Sequence, residues 1–184
     1  MTPLRKARLL SAQDGRIELE LALGWRARVA LVGDGIGRFG LVPPDGWREP
    51  RTWALDPSGA YPHQGVARDA VHPPRADARI EHDAAQGTLL LSGAGLRARV
   101  TLDPFHVVWE QQDAQGAWHW CCGDRDSYAY AVSPRSGTLH HWQRRDAADR
   151  YFGLGDKTGP LDLHGRRLRT RQLDALGYDA KTGD

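Results

Sequence analysis

Cysteine is scarce in this chain, with two in 184 residues, and methionine occurs once. The two cysteines, Cys121 and Cys122, are adjacent. Neighbouring residues on a strand point to opposite faces, so a bridge between them would be strained, and a disulfide framework is excluded. Two thiols do not make a four-ligand zinc site without histidines at suitable spacing, and none lies close by in that pattern. The expectation is two reduced, half-buried thiols in a cytoplasmic protein. Long apolar runs are missing too. The opening "MTPLRKARLLSAQDGRIELE" has basic residues but no apolar stretch of signal-peptide length, and no later segment is long and apolar enough to span a bilayer. An excess of either charge sign is also lacking. The formal net charge is +2, although 22 of the 25 basic residues are arginine, which gives no strong pull toward nucleic acid or membrane.

A sustained helical stripe is absent as well; alternation takes its place. In "RIELELALGW" the residues Ile17, Leu19, Leu21, Leu23 and Trp25 fall on one face, with Glu18 and Glu20 on the other. "LRARVTL" sets Leu96, Ala98, Val100 and Leu102 against Arg97, Arg99 and Thr101, and "FHVVWEQ" aligns Phe105, Val107 and Trp109. Turn signals separate these runs at 33–37, 83–87, 92–95 and 113–116. The pattern predicts strands over 15–23, 26–32, 78–82, 88–92, 96–102, 105–112, 117–121, 127–132 and 138–143. Strands so spaced make an all-β, antiparallel two-sheet β-sandwich, in which each sheet covers the other's apolar face. Residues 43–76 interrupt it. They carry most of the chain's 11 prolines and no clean period, which predicts a long irregular excursion. Trp47, Trp53 and Tyr61 in it either tack the loop to the sandwich or offer faces for sugar rings.

Several chemistries find no support. The segment "YFGLGDKTGPLDLHGRR" (151–167) is glycine-rich, yet a phosphate loop needs a helix after its glycines, and none is predicted. Its glycines are expected to make turns. Arg167, Arg169 and Arg171 alternate with Leu168 and Thr170 as on a strand, without the interleaved aromatics of a nucleic-acid surface. The histidines His63, His72, His82, His119, His164 and the pair His140–His141 form no ligand set at helical spacing, and the adjacent pair diverges on a strand, so no metal is expected. No Gly-x-Ser-x-Gly elbow is present. Asp124 and Asp126 read as turn residues capping backbone amides.

The last quarter is more specific. "DRYFGLGDKTGPLDLHGRRLRTRQLDALGYD" (149–179) resembles the segment that closes the N-terminal domain of family 31 glycoside hydrolases, the α-glucosidases, α-xylosidases and relatives. The shared elements are an aromatic pair, Gly-Leu-Gly-Asp-Lys, a turn, a Gly-Arg strand and Asp-Ala-x-Gly-Tyr-Asp. "LDPFHVVWEQQDAQGAW" (102–118) is similar to an earlier run of the same domain. The resemblance covers 149–179 most closely and extends over 96–148.

It implies a galactose-mutarotase-like supersandwich over 1–150, with 151–184 as the end of the sandwich and a substrate-facing loop. In the family that loop leads into a (β/α)8 barrel bearing two catalytic aspartates, which suits retention of configuration. The implied parent is a retaining α-glycosidase acting on α-glucoside-type substrates; this chain alone would carry no catalytic residue and no cofactor. The position matching the family's sugar-binding aspartate is Asp174. Many members have Trp-Asn just before it, where this chain has Arg171 and Gln172. The expected partners are a carbohydrate and the barrel, with no nucleic acid and no membrane, and the separated domain is expected to self-associate. Two other classes stay open: a free-standing carbohydrate-binding module using Trp47, Trp53 and Tyr61, and a mutarotase-type epimerase. The epimerase needs a histidine acid and a carboxylate base in one cleft, and the sequence reveals no such pairing.

Overall fold

The computed structural model describes residues 1–46, 73–153 and 159–168. Its contacts divide the chain into two compact units, 1–144 and 145–184.

In the first unit the elements are β1 (Thr2–Pro3), β2 (Arg8–Gln13), β3 (Arg16–Glu20), β4 (Arg26–Gly33), β5 (Ile36–Val42), β6 (Arg79–Asp83), β7 (Thr88–Ser92), β8 (Leu96–Leu102), β9 (Phe105–Gln112), β10 (Trp118–Gly123), β11 (Tyr130–Ser133) and β12 (Thr138–His141). They form a four-stranded sheet β2-β3-β4-β5, a five-stranded sheet β10-β9-β8-β7-β6 and a three-stranded sheet β1-β11-β12. All pairings are antiparallel. The all-β sandwich expected from alternation is what the chain adopts. The only helical element among the described residues is a single 3-10 turn at Ala22–Gly24.

Alternation also assigns the core. Ile17 and Leu19 of β3 and Val29 and Leu31 of β4 are buried in one cluster with Leu89 and Leu91 of β7, Ala98 and Val100 of β8, and Phe105 and Val107 of β9. Those residues are the inner faces of the two larger sheets, each withdrawing its apolar side from water against the other. The polar side of the five-stranded sheet is ordered by ion pairs. Register sets Arg97 opposite Glu110, and Arg97 Nε lies 2.7 Å from the Glu110 carboxylate with Arg99 at 3.4 Å. Desolvation alone would raise the Glu110 carboxyl, but the two guanidiniums outweigh it and hold it below the ordinary glutamate value.

Three differences from the expected pattern have local causes. Leu23, placed by alternation with the core, is half exposed at φ 61° in the 3-10 turn between β3 and β4. The turn breaks the period there. β2 was hidden by a register shift between Leu9 and Ser11. β5 was hidden by its glycines, and Gly37 has a packing reason to be one. A Cβ there would come within 2.2–2.8 Å of the Trp109 ring, so the close approach of β5 to that indole requires a residue with no side chain.

In the second unit, described residues run from Arg145 to Gly153 and from Gly159 to Leu168. The strand expected around Arg167 is not formed: 166–168 are irregular, and 169–171 lie outside the described residues. Gly153 and Gly159 adopt φ of 106° and 124°, backbone closed to most side chains, in accord with the turn reading. No described helix is long and apolar enough to cross a membrane.

Candidate functional site

In the first unit the one buried charged or polar residue among those described is Asp124, at 2% exposure. It follows β10 directly. Its amide donates to the Val107 carbonyl at 2.9 Å, and it forms an isolated bridge to Gln143. Its carboxylate collects donors from three strands. Oδ2 accepts the Val107 N–H of β9 at 2.8 Å and the Tyr130 hydroxyl of β11 at 2.5 Å. Oδ1 lies 2.7 Å from His141 Nε2 of β12. Asp124 is therefore no turn cap, as the sequence had suggested, but a buried tie between the five-stranded and three-stranded sheets.

The rings around it are stacked. Tyr130 lies 4.6 Å from the His141 ring and 5.1 Å from Phe39, both nearly parallel, and 5.3 Å from Phe105. Burial, followed by the adjacent Asp124 charge, pushes the Tyr130 phenol far above its ordinary value, so it stays a donor. His140, one residue from His141, turns away to stack on Trp142 at 5.6 Å, so the adjacent histidines diverge as a strand requires. On that side the Arg125 guanidinium sits 4.4 Å from Tyr128 and 4.9 Å from Trp142, a cation held between two π faces.

A histidine and a carboxylate do meet here, a pairing that the separation of 17 residues concealed. The Asp124 carboxylate accepts three hydrogen bonds from the protein and is itself closed to solvent, whereas the His141 side chain is 36% exposed. A second pair, His119 Nε2 and Asp113 Oδ2 at 2.6 Å, is exposed and lies at the β9–β10 turn, where Asp113 also accepts the Gln115 and Ala117 amides. Among the described residues no three metal-ligating side chains gather.

The second unit is built around Asp162. Its Oδ1 accepts the His164 amide at 2.9 Å and the Tyr151 amide at 3.3 Å, and Arg150 Nε approaches Oδ2 at 3.3 Å. The His164 amide contributes most to holding this carboxyl below the ordinary aspartate range. Leu163 N–H donates to the Tyr151 carbonyl at 2.8 Å, and His164 Nδ1 lies 2.6 Å from the Asp149 carbonyl. These bonds pin the turn after Gly159 onto the aromatic pair Tyr151–Phe152. They leave a cleft of about 400 Å³ lined by Tyr151, Phe152, Leu163, Leu168, Arg145 and Arg166. Phe152 is 61% and Leu161 80% exposed. The cleft thus has an apolar wall with two guanidiniums beside it.

Asp174, the position expected to meet sugar, lies outside the described residues, as do Trp47, Trp53 and Tyr61. The sequence reading missed Asp124, Tyr130 and His141 as a group. The "CGDRDSY" run gave no sign of burial.

The all-β sandwich, its sheet order and the "YFGLGDK" segment define a class, the mutarotase-like sandwich domains of glycoside hydrolases. The glycosyl hydrolase 31 N-terminal galactose mutarotase-like domain family matches residues 26–184, and the chain belongs to that family. Among solved structures it is similar to the GH31 dextranase of Flavobacterium johnsoniae, FjDex31A, complexed with glucose, at 14% identity and a TM-score of 0.64. A mutant of the same dextranase complexed with isomaltotriose matches equally, at 14% identity and TM-score 0.64. Each match covers 90% of this chain and 18% of the dextranase chain, so this chain spans under a fifth of that enzyme's length. No curated protein matches.

Proposed function

We propose that this chain is the N-terminal sandwich of a cytoplasmic retaining α-glycosidase acting on α-glucoside-type substrates, and that it supports a catalytic barrel and shapes the leaving-sugar subsite. The observation that carries this reading is the family match over 26–184, which includes the segment around Asp174. The dextranase with its glucose and isomaltotriose ligands supports a glucose-type substrate. Two free, exposed thiols suit a reducing compartment. The exposed Phe152 and Leu161 support docking against a larger body, and self-association when the domain is alone.

In this reading Asp174 accepts a hydrogen bond from the sugar beside the scissile bond. In the parent enzyme Asp174→Ala is expected to lose about 1–3 kcal/mol of transition-state binding, the worth of a hydrogen bond to a charged group. The readout is kcat/KM on α-linked disaccharides, and an unchanged value defeats the subsite role. The chain by itself is expected to give no release from an aryl α-glucoside.

A second reading, a free-standing carbohydrate-binding module, has one observation in its favour. Register places Trp118 and Trp120 opposite Gln112 and Glu110, on the polar face of the five-stranded sheet, with Trp120 43% exposed. Saturable micromolar binding of maltose or isomaltotriose to the isolated chain, lost in Trp120→Ala, would favour the module.

A further inference from the structure

The described acids of the second unit are all committed to partners of their own. Asp162 accepts the His164 and Tyr151 amides and meets Arg150. Asp149 accepts the Asp146 amide at 2.8 Å and the Tyr151 hydroxyl at 3.2 Å, and Asp146 accepts the Ala148 amide at 2.8 Å. Arg145 and Arg166, which line the cleft of this unit, have no acid partner among the described residues. Two guanidiniums beside an apolar wall are thus left without a counter-charge. The wall itself is held in place. Tyr151 is bonded through its amide, its carbonyl and its hydroxyl, and its ring lies 6.0 Å from that of His164. Tyr151 and Phe152 nevertheless keep their rings exposed.

We propose that this cleft binds an anionic sugar, with the C–H face of the ring on Tyr151 and Phe152 and the charged group on Arg145 and Arg166. The choice of a sugar for the ring rests on the glycosidase reading above; the charge rests on the two arginines. A cleft of about 400 Å³ is of small-molecule size and too small for a folded partner. A neutral sugar is the poorer match, since it would strip water from two cations and return no counter-charge. A bare anion is the poorer match too, because it gains nothing from an apolar wall. The planar guanidinium fork matches phosphate and carboxylate alike. The shared chemistry is therefore an oxyanion carried on a sugar.

The bonds that fix Tyr151 also bear on affinity. A ring already held by its own backbone and hydroxyl has little freedom left to lose when a ligand stacks on it, so binding costs little in ordering. Both arginines are exposed. Attraction between exposed charges is screened by salt, so the charged part of the binding should weaken as ionic strength rises, and the stacking part should not.

The test titrates the full chain, in dilute solution, with glucose 6-phosphate, glucuronate, glucose and inorganic phosphate, read by isothermal calorimetry. Glucose 6-phosphate or glucuronate is expected to bind saturably, about tenfold or more tightly than either glucose or inorganic phosphate, and to lose that margin at high salt. The tighter of the two charged sugars identifies the oxyanion as phosphate or carboxylate. Arg145→Gln and Arg166→Gln are each expected to weaken that binding about fivefold or more. Unchanged far-UV circular dichroism checks that these surface variants fold. The proposal is overturned if neither charged sugar binds, or if glucose or inorganic phosphate binds as tightly. It is equally overturned if both arginine variants bind as the native chain does. Such a failure leaves the glycosidase reading standing, since that reading is judged by hydrolysis in the parent enzyme.

Discussion

At the scale of single residues, the stability of the first unit turns on Asp124. A buried carboxylate is costly unless its acceptor sites are filled, and here three strands fill them. Removing one donor leaves the charge in place with less to hold it. Tyr130→Phe is therefore expected to destabilise the chain by about 1–3 kcal/mol, read from the urea midpoint at constant m value. The same phenol gives a pH signature. Its folded pKa lies above the unfolded value, so the folded state holds the proton more tightly. The stabilisation is whole below the ordinary tyrosine range near about pH 10 and declines as pH rises beyond it. In an ultraviolet titration one tyrosine should ionise only together with unfolding, and that step should vanish in Tyr130→Phe. Ionisation of all tyrosines while the far-UV spectrum stays native would contradict the buried phenol.

At the scale of elements, the contact of β5 with Trp109 is the place where a single methyl group decides the packing. Any Cβ at Gly37 collides with the indole, so Gly37→Ala is expected to cost about 1–3 kcal/mol and to shift tryptophan emission as Trp109 is displaced. An unchanged melting temperature and spectrum would mean that β5 moves aside freely. The same contact explains what the sequence concealed. Strands with uninterrupted alternation, such as β8 and β9, were legible to the residue, because half-burial imposes a period of two. β5 was illegible because Gly33, Gly35 and Gly37 read as turn material, whereas Gly37 is there for close approach. The bulges in β2 and β10 each insert a residue that breaks the period. The Asp124 group was hidden by distance along the chain, since its partners come from strands that only the sheet order brings together.

At the scale of the whole chain, the functional reading rests on the family match, and the resemblance over 149–179 was the part of it open to inspection in the sequence. Asp174 itself could be named from the motif and lies outside the described residues. The exposed Phe152 and Leu161 lead to an expectation for the isolated domain. Its weight-average mass by light scattering should rise with concentration, and should rise less in Phe152→Ser. A strictly monomeric profile at high concentration would count against these residues as a docking face.

The short strand β1 carries a consequence for the order of folding. Thr2 and Pro3 pair with Val132 and Ala131, Leu4 is fully buried with its amide on the Tyr130 carbonyl, and the Arg5 carbonyl takes the Phe105 amide. These partners sit in β9 and β11, far along the chain from the segment they hold. Such far-separated pairings slow closure, which makes the seam between β1 and β11 a slow stitch in the assembly of this unit.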